Sequence, residues 1–302
     1  MNQSYASDHQ IYAIPIGNQT EIIRRLVLDG YVLIQGAVKP TVIHSSNEMI
    51  QLALEELISY SKNQSLELDY NGFAVSILEE FARTYEYQCL TSDEKLLDLL
   101  ACFLGPDIGI LGYDALWINA PSDSDPVLLK NQHVDAWTGT SVNSLFVKFF
   151  FTDVDKYNGV CVSPGSHLQG LIPVRNRGID PSTRAWFDDL NLDTAARGDV
   201  LIWHPLLVHS TAGHSPTALR ISMTSRYTST ESSFSSQERA LGIRPLRVGP
   251  LNQVLRIIGS DHLLPFRTYG GHVGIDRRMS GIYRYGNFEK DLDYRHLIKK
   301  YF

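Results

Sequence analysis

Cysteine is scarce: Cys89, Cys102 and Cys161 are the only three in 302 residues. They lie far apart and form no CxxC pair, which argues against both a disulfide framework and a zinc knuckle and fits reduced, unpaired thiols. No stretch reaches the roughly 18 uncharged apolar residues that a membrane-spanning helix needs. The first sixteen residues lack the basic-then-apolar order of a secretory leader. Excess positive charge is also missing, because 27 Lys plus Arg stand against 33 Asp plus Glu for a formal charge of -6. The whole-molecule field therefore offers no general attraction for nucleic acid or anionic lipid. Repeats, low-complexity runs and linkers are absent, so nothing marks a domain boundary. What is present is a balance of 43% hydrophobic and 20% charged positions, enough to bury a sizeable core. The expectation is a cytoplasmic protein of one domain, acting on a small molecule, with no nucleic-acid or membrane partner.

The first third reads as helical. Thr20 to Leu28 carries apolar residues at helical spacing, and Gly30 stops the pattern before the strand-like run Tyr31 to Gln35. Helical stretches follow at Pro40 to Ser61 and Ala74 to Cys89. A further one opens at Thr91-Ser92-Asp93-Glu94, with Thr91 or Ser92 as the cap, and ends at Gly105-Pro106. Beyond Pro106 the texture changes to short runs of β-branched and aromatic residues: Ile108 to Ile118, Ser144 to Val154, Val160 to Val162, Asp199 to Trp203 and Leu219 to Thr228. Turn formers such as Asn158-Gly159 and Pro164-Gly165-Ser166 separate them. This predicts a mainly β fold with flanking helices, arranged as a helical cover over 1–105, a β core over 106–230 and a C-terminal cover or lid over 231–302. Leu251 to Ile258 has a helical look, and the Tyr-rich end from Tyr283 to Phe302 suits either a subunit contact or a cover for the barrel.

Among ten histidines, the pair His133-Val134-Asp135 has ligand spacing. On a strand, residues two apart share a face, so an imidazole and a carboxylate can reach one ion from the same side. A second imidazole must come from elsewhere, and both His204 and His209 are available in the apolar segment from Gly198 to Ser210. Arg220 follows His209 by eleven residues and opens the apolar strand Leu219 to Met223. A guanidinium in such a strand needs an anionic partner, and a carboxylate bound through two nitrogens is the natural one. Two His and one carboxylate on one face of a ferrous ion leave three positions free. A 2-oxo acid fills two and dioxygen the third, while Arg220 holds the far carboxylate of 2-oxoglutarate, with the Thr211 hydroxyl directed to the same end.

In their order and separations, His133-x-Asp135, the string Val160 to His167, Gly198-Asp199-Val200, His204-Pro205-Leu206-Leu207-Val208-His209 and Arg220 resemble the motifs of the phytanoyl-CoA dioxygenase (PhyH-like) family of Fe(II)/2-oxoglutarate-dependent oxygenases. The resemblance implies a double-stranded β-helix, the jelly-roll or cupin-like core, with helices packed outside. It implies Fe(II) as cofactor, 2-oxoglutarate as cosubstrate and O2 as oxidant. Carried over position by position, it makes His133, Asp135 and His209 the metal ligands and Arg220 and Thr211 the 2-oxoglutarate contacts. It sets His204 aside as the first, non-ligating His of its string, and gives His167 a shaping role in a turn. His214 belongs in a turn as well. Lys130 and Gln132 lie near the place of a family contact to the C1 carboxylate, but on a straight strand both point away from His133, so that role stays unassigned. Trp137 has the parity to face the substrate.

The implied activity is oxidation, usually hydroxylation, of an unactivated C–H bond, with release of succinate and CO2. Retention of a carboxylate at Asp135 disfavours halogenation and leaves desaturation, epoxidation and ring formation open. The substrate expected is a free metabolite or natural-product intermediate, because no basic cluster suited to an adenosine phosphate stands out. The loop Arg175 to Asp189 and the tail after Ser229 are expected at the pocket mouth. Arg226, Arg267, Arg277, Arg278 and Arg284 are read there as surface arginines or contacts for an anionic substrate. The alternatives are a non-catalytic metal-binding barrel and a cupin-type dioxygenase that needs no oxoacid.

Overall fold

A computed structural model of the chain describes residues 11–111, 114–121, 132–138, 141–175, 178–180, 182–183, 188–211, 215–230, 243–258 and 294–302. Thirteen strands occur among them: β1 Ile14–Pro15, β2 Tyr31–Gln35, β3 Ile108–Leu111, β4 Ala115–Asn119, β5 Ser144–Phe150, β6 Val160–Val162, β7 Val174–Arg175, β8 Gly178–Ile179, β9 Leu190–Asn191, β10 Val200–Trp203, β11 His209–Thr211, β12 Arg220–Ser229 and β13 Ile243–Arg247. The helices are α1 Gln19–Leu28, α2 Pro40–Asn63, α3 Tyr70–Phe81, α4 Tyr85–Thr91, α5 Glu94–Leu104, α6 Pro250–Ile257 and α7 Arg295–Ile298. The major sheet runs β1-β2-β10-β5-β12-β3-β13, with β4 also paired to β12, and the smaller sheet runs β11-β6-β9. The two sheets form the double-stranded β-helix, with the helices of the first third outside the major sheet. No helix among the described residues is long and apolar enough to cross a membrane.

Alternation along the two central strands decides what faces the helices and what faces inward. Leu145, Val147, Phe149, Ile221, Met223 and Tyr227 join α2, α3 and α5 residues such as Leu57, Phe73 and Leu100 in one large core. Phe146 and Phe150 lie on the other face of β5, in a second core with Leu33, Val160, Val162, Leu201, Trp203 and Leu207. Both faces are covered, which is why every residue of β5 is buried. Phe81 ties the layers together: it is fully buried and meets Tyr87 and Phe151 edge-on, with ring centroids 5.8 and 6.0 Å away. Phe81→Ala removes that plug, and the expected cost is about 3–5 kcal/mol. Thermal unfolding should show the midpoint lowered by roughly 5–15 °C.

Several sequence boundaries move for local reasons. The expected helix Ala74 to Cys89 is two helices, because the Thr84 hydroxyl accepts from the Tyr87 amide at 3.1 Å and starts α4 anew. The cap of α5 is Asp93, which accepts from the Lys95 amide at 3.0 Å, and not Thr91 or Ser92; Thr91 ends the preceding helix. The expected strand Ile108 to Ile118 divides into β3 and β4, which pair with opposite ends of β12. The chain end packs on the helical layer and not on the barrel: Tyr294 meets Phe73 edge-on at 5.1 Å, and Tyr301 donates to Glu56 at 2.9 Å. Arg267, Arg277, Arg278 and Arg284, and most of the Tyr-rich segment, lie outside the described residues.

Candidate metal centre

The centre begins with a backbone pairing. His133 and His209 form an isolated antiparallel bridge, each amide donating to the other's carbonyl, at 2.9 and 3.0 Å. A directly opposed pair holds its Cβ atoms about 4.5–5.5 Å apart. Here it sets the two imidazoles side by side, with centroids 4.3 Å apart. Asp135 then opens a short 3-10 turn, Asp135–Thr138, which directs its carboxylate back to the pair. His133 Nε2 lies 3.9 Å from Asp135 Oδ1 and His209 Nε2 lies 3.5 Å from Oδ2. One donor atom from each of the three falls within 4.8 Å of the others, a spacing that suits a single ion. The expectation that His133 to Trp137 continues as a straight strand is corrected by this turn. Side-chain parity therefore says nothing about Trp137, whose side chain lies outside the described residues.

Neighbouring groups fix the donors. His209 Nδ1 is 3.0 Å from the Leu207 carbonyl. A carbonyl only accepts, so Nδ1 carries the proton and Nε2 presents its lone pair toward Asp135. Burial, against the opposing pull of Asp135, brings the His209 pKa down from the usual 6.5 to about 4, so the ring is neutral and ready to ligate. Trp203 Nε1 donates to Asp135 Oδ2 at 2.9 Å and orients the carboxylate. Partners of this kind typically contribute 10- to 100-fold to metal affinity. Trp203→Phe is therefore expected to weaken Fe(II) binding by about that factor while the fold persists. Equilibrium dialysis against graded Fe(II) under nitrogen reads it.

Arg220 opens β12 on its inward face and is 2% exposed. Nη1 donates to the carbonyls of Asn158 and, at 2.9 Å, Gly159, while Nη2 donates to Asn119 Oδ1 at 2.8 Å. These are neutral acceptors; among the described residues no carboxylate makes an ion pair with it. Burial pushes its pKa down to about 10, with Asp155 opposing. Among the described residues its Nε has no hydrogen-bond partner, and neither do two buried hydroxyls further along the same face, Ser222 Oγ and Thr224 Oγ1. Thr211 follows His209 by two on β11 and so shares its face.

Lys148 was not singled out by the sequence reading. It sits opposite Thr224 and Leu201 on the inner face of β5, is 8% exposed, and has the Trp117 ring 5.7 Å from Nζ as its contact. Burial, then Arg220, holds its ammonium well below the usual lysine range, while Asp135 acts the other way. The signal was available: Ser144-Leu-Phe-Val-Lys-Phe-Phe150 is a central strand whose one charge has no reason to be there as packing.

The other named residues separate from the centre. His204 accepts from the Leu206 amide at 3.1 Å and faces His167 at 5.4 Å between centroids. His167 Nε2 donates to the Val27 carbonyl at 3.1 Å. Its ring fills the space a side chain at Gly30 would need, a Cβ there falling 2.4 Å from Nδ1. Gln132 is buried and donates to Asp189, which also accepts from Ser163 at 2.7 Å. The Ile179 amide donates to the Gln132 carbonyl at 2.8 Å, tying the described part of the Arg175 to Asp189 loop to the residue before His133. Arg226, expected at the surface, is 4% exposed, with its guanidinium 4.8 Å over Phe146, because even-numbered β12 residues face inward. Lys130 and His214 lie outside the described residues.

A jelly roll carrying two imidazoles and a carboxylate in one cluster, with a buried guanidinium opposite neutral acceptors, belongs to the class of non-haem iron oxygenases. Within it, the chain belongs to the phytanoyl-CoA dioxygenase (PhyH) family, whose sequence model matches residues 26–222. It is a non-haem Fe(II)/2-oxoglutarate-dependent dioxygenase, with Fe(II), 2-oxoglutarate and O2 as cofactor, cosubstrate and oxidant. No curated protein matches the sequence. Among solved structures, it is similar to the non-heme alpha-ketoglutarate-dependent epimerase SnoN from nogalamycin biosynthesis, with TM-score 0.53, 17% identity and coverage of 71% of this chain and 82% of that one. The carbocyclase SnoK from the same biosynthesis gives 0.52 and 15%, covering 82% and 93%. EctD from S. alaskensis, solved with 2-oxoglutarate and 5-hydroxyectoine, gives 0.50 and 16%, covering 74% and 80%. At these identities the likeness is one of fold.

Proposed function

We propose that His133, Asp135 and His209 hold Fe(II), that Arg220 and Thr211 hold the distal carboxylate of 2-oxoglutarate, and that the enzyme oxidises an unactivated C–H bond of a small metabolite or natural-product intermediate. The observation that carries this reading is the cluster of three donors within 4.8 Å, with Arg220 buried on the inner face of the same barrel and Nε free. Bound there, Fe(II) with 2-oxoglutarate and O2 supplies oxidative decarboxylation to succinate and CO2, coupled to oxidation of the substrate. The chain's part is placement. The Leu207 carbonyl holds the His209 tautomer, Trp203 holds the Asp135 carboxylate, and Arg220 fixes one end of the cosubstrate so that its other end meets the ion. Val162, opposite His209, and Trp203 with the Phe146 ring stacked on it give the centre an apolar flank.

A free small molecule is favoured over a CoA ester because the sequence offers no basic cluster for an adenosine phosphate. The named ligands of similar structures, nogalamycin RO in SnoN and 5-hydroxyectoine in EctD, support the same substrate class. The test is succinate formation from Fe(II), 2-oxoglutarate and O2, first without substrate and then with a panel of candidate metabolites. Succinate that requires both Fe(II) and the oxoacid, and rises with one panel member, supports the reading. Substrate oxidation that persists without 2-oxoglutarate favours the cupin-type alternative.

A further inference from the structure

Three buried cations, Arg220, Lys148 and Arg226, share the inner face of the major sheet, and the Arg226 guanidinium is stacked over Phe146. Arg220 and Lys148 are 2% and 8% exposed and stand on adjacent strands, and Arg220 disfavours the Lys148 charge. Arg220 is met by neutral acceptors, and Lys148 by the face of Trp117. Burying two like charges together is strongly unfavourable unless an anion joins them. Between and beside them, the Arg220 Nε, Ser222 Oγ and Thr224 Oγ1 atoms are all buried and unpartnered. Along the inner face of β5, Lys148 lies between Phe146, which is opposite the Trp203 that donates to Asp135, and Phe150, which is opposite Ser222 beside Arg220.

We infer that Lys148 is a second cosubstrate-binding cation, sharing the distal carboxylate of 2-oxoglutarate with Arg220 while the Ser222 and Thr224 hydroxyls donate to the same group. The inference rests on the function proposed above.

The test is a binding titration with no turnover. Fe(II)-loaded enzyme under nitrogen is titrated with 2-oxoglutarate, and separately with 2-oxopentanoate, in which a methyl group replaces the distal carboxylate. The visible iron-to-oxoacid charge-transfer absorption reports both. Lys148→Met should raise the dissociation constant for 2-oxoglutarate by about 10- to 100-fold, the worth of one charge-assisted contact. The constant for 2-oxopentanoate should move by less than about twofold. Lys148→Gln provides the same comparison if the Met variant does not fold. Unchanged 2-oxoglutarate binding overturns the inference, as does equal weakening for both ligands, which marks a structural role. Absence of the absorption in iron-loaded wild-type enzyme overturns the parent reading, and this inference with it.

Discussion

Asp135→Ala should leave a folded protein that retains little iron and forms succinate at least about 100-fold more slowly. Losing a mere orienting partner of a ligand typically costs 10- to 100-fold, and losing the ligand itself costs more. Asp135 brings the one negative charge of the cluster and lies 3.5 Å from His209 Nε2. Without it, two imidazoles remain to hold a divalent ion. The fold should tolerate the change, because Asp135 lies in a 3-10 turn outside the main core and the chief loss is the partner of Trp203 Nε1. Bound iron after gel filtration, together with succinate yield, measures the effect. Wild-type iron content with normal succinate would remove Asp135 from the metal centre.

The second large effect falls on Arg220. Replacement by Met keeps an unbranched apolar stem and removes the guanidinium with its charge. Two opposing terms act on stability. An unmatched buried charge disappears, which is favourable, while the Asn158 and Gly159 carbonyls and Asn119 lose a donor. Melting should therefore shift by only a few degrees in either direction. Cosubstrate binding has no such compensation. Loss of a charge-assisted, two-nitrogen contact corresponds to about 3–4 kcal/mol, so the KM for 2-oxoglutarate should rise by roughly 100- to 1000-fold. Iron content should not change, since the guanidinium is not among the clustered donors. An unchanged KM would show that the distal carboxylate is held elsewhere.

Much of this centre was legible in the sequence because its signals are local. His133-x-Asp135, the HPLLVH string and an arginine eleven residues beyond His209 survive any uncertainty about strand boundaries. The reason they converge was not legible. Two residues on one face of a strand was the wrong geometry: the convergence comes from a single bridge between His133 and His209, followed by a 3-10 turn. A bridge between residues 76 positions apart leaves no mark in either local sequence. The outer helices show the same limit. Their apolar spacing marked them, but Thr84 as a cap inside an apparently continuous helix looked like one more polar surface residue. Lys148 goes unmarked, and Arg226 reads as a surface arginine or a substrate contact, for a related reason. Arginine and lysine are ordinarily exposed, and only the register of β5 and β12 reveals that both point inward.

The most direct measurement is the diffraction of crystals of the enzyme grown under nitrogen with Fe(II) and 2-oxoglutarate, locating the ion by the anomalous signal of iron. One iron peak should lie about 2 Å from His133 Nε2, an Asp135 carboxylate oxygen and His209 Nε2. The oxoacid should chelate it and end on Arg220. An iron peak away from these three side chains, or a dicarboxylate whose far end turns from Arg220 toward solvent, would contradict the proposed centre.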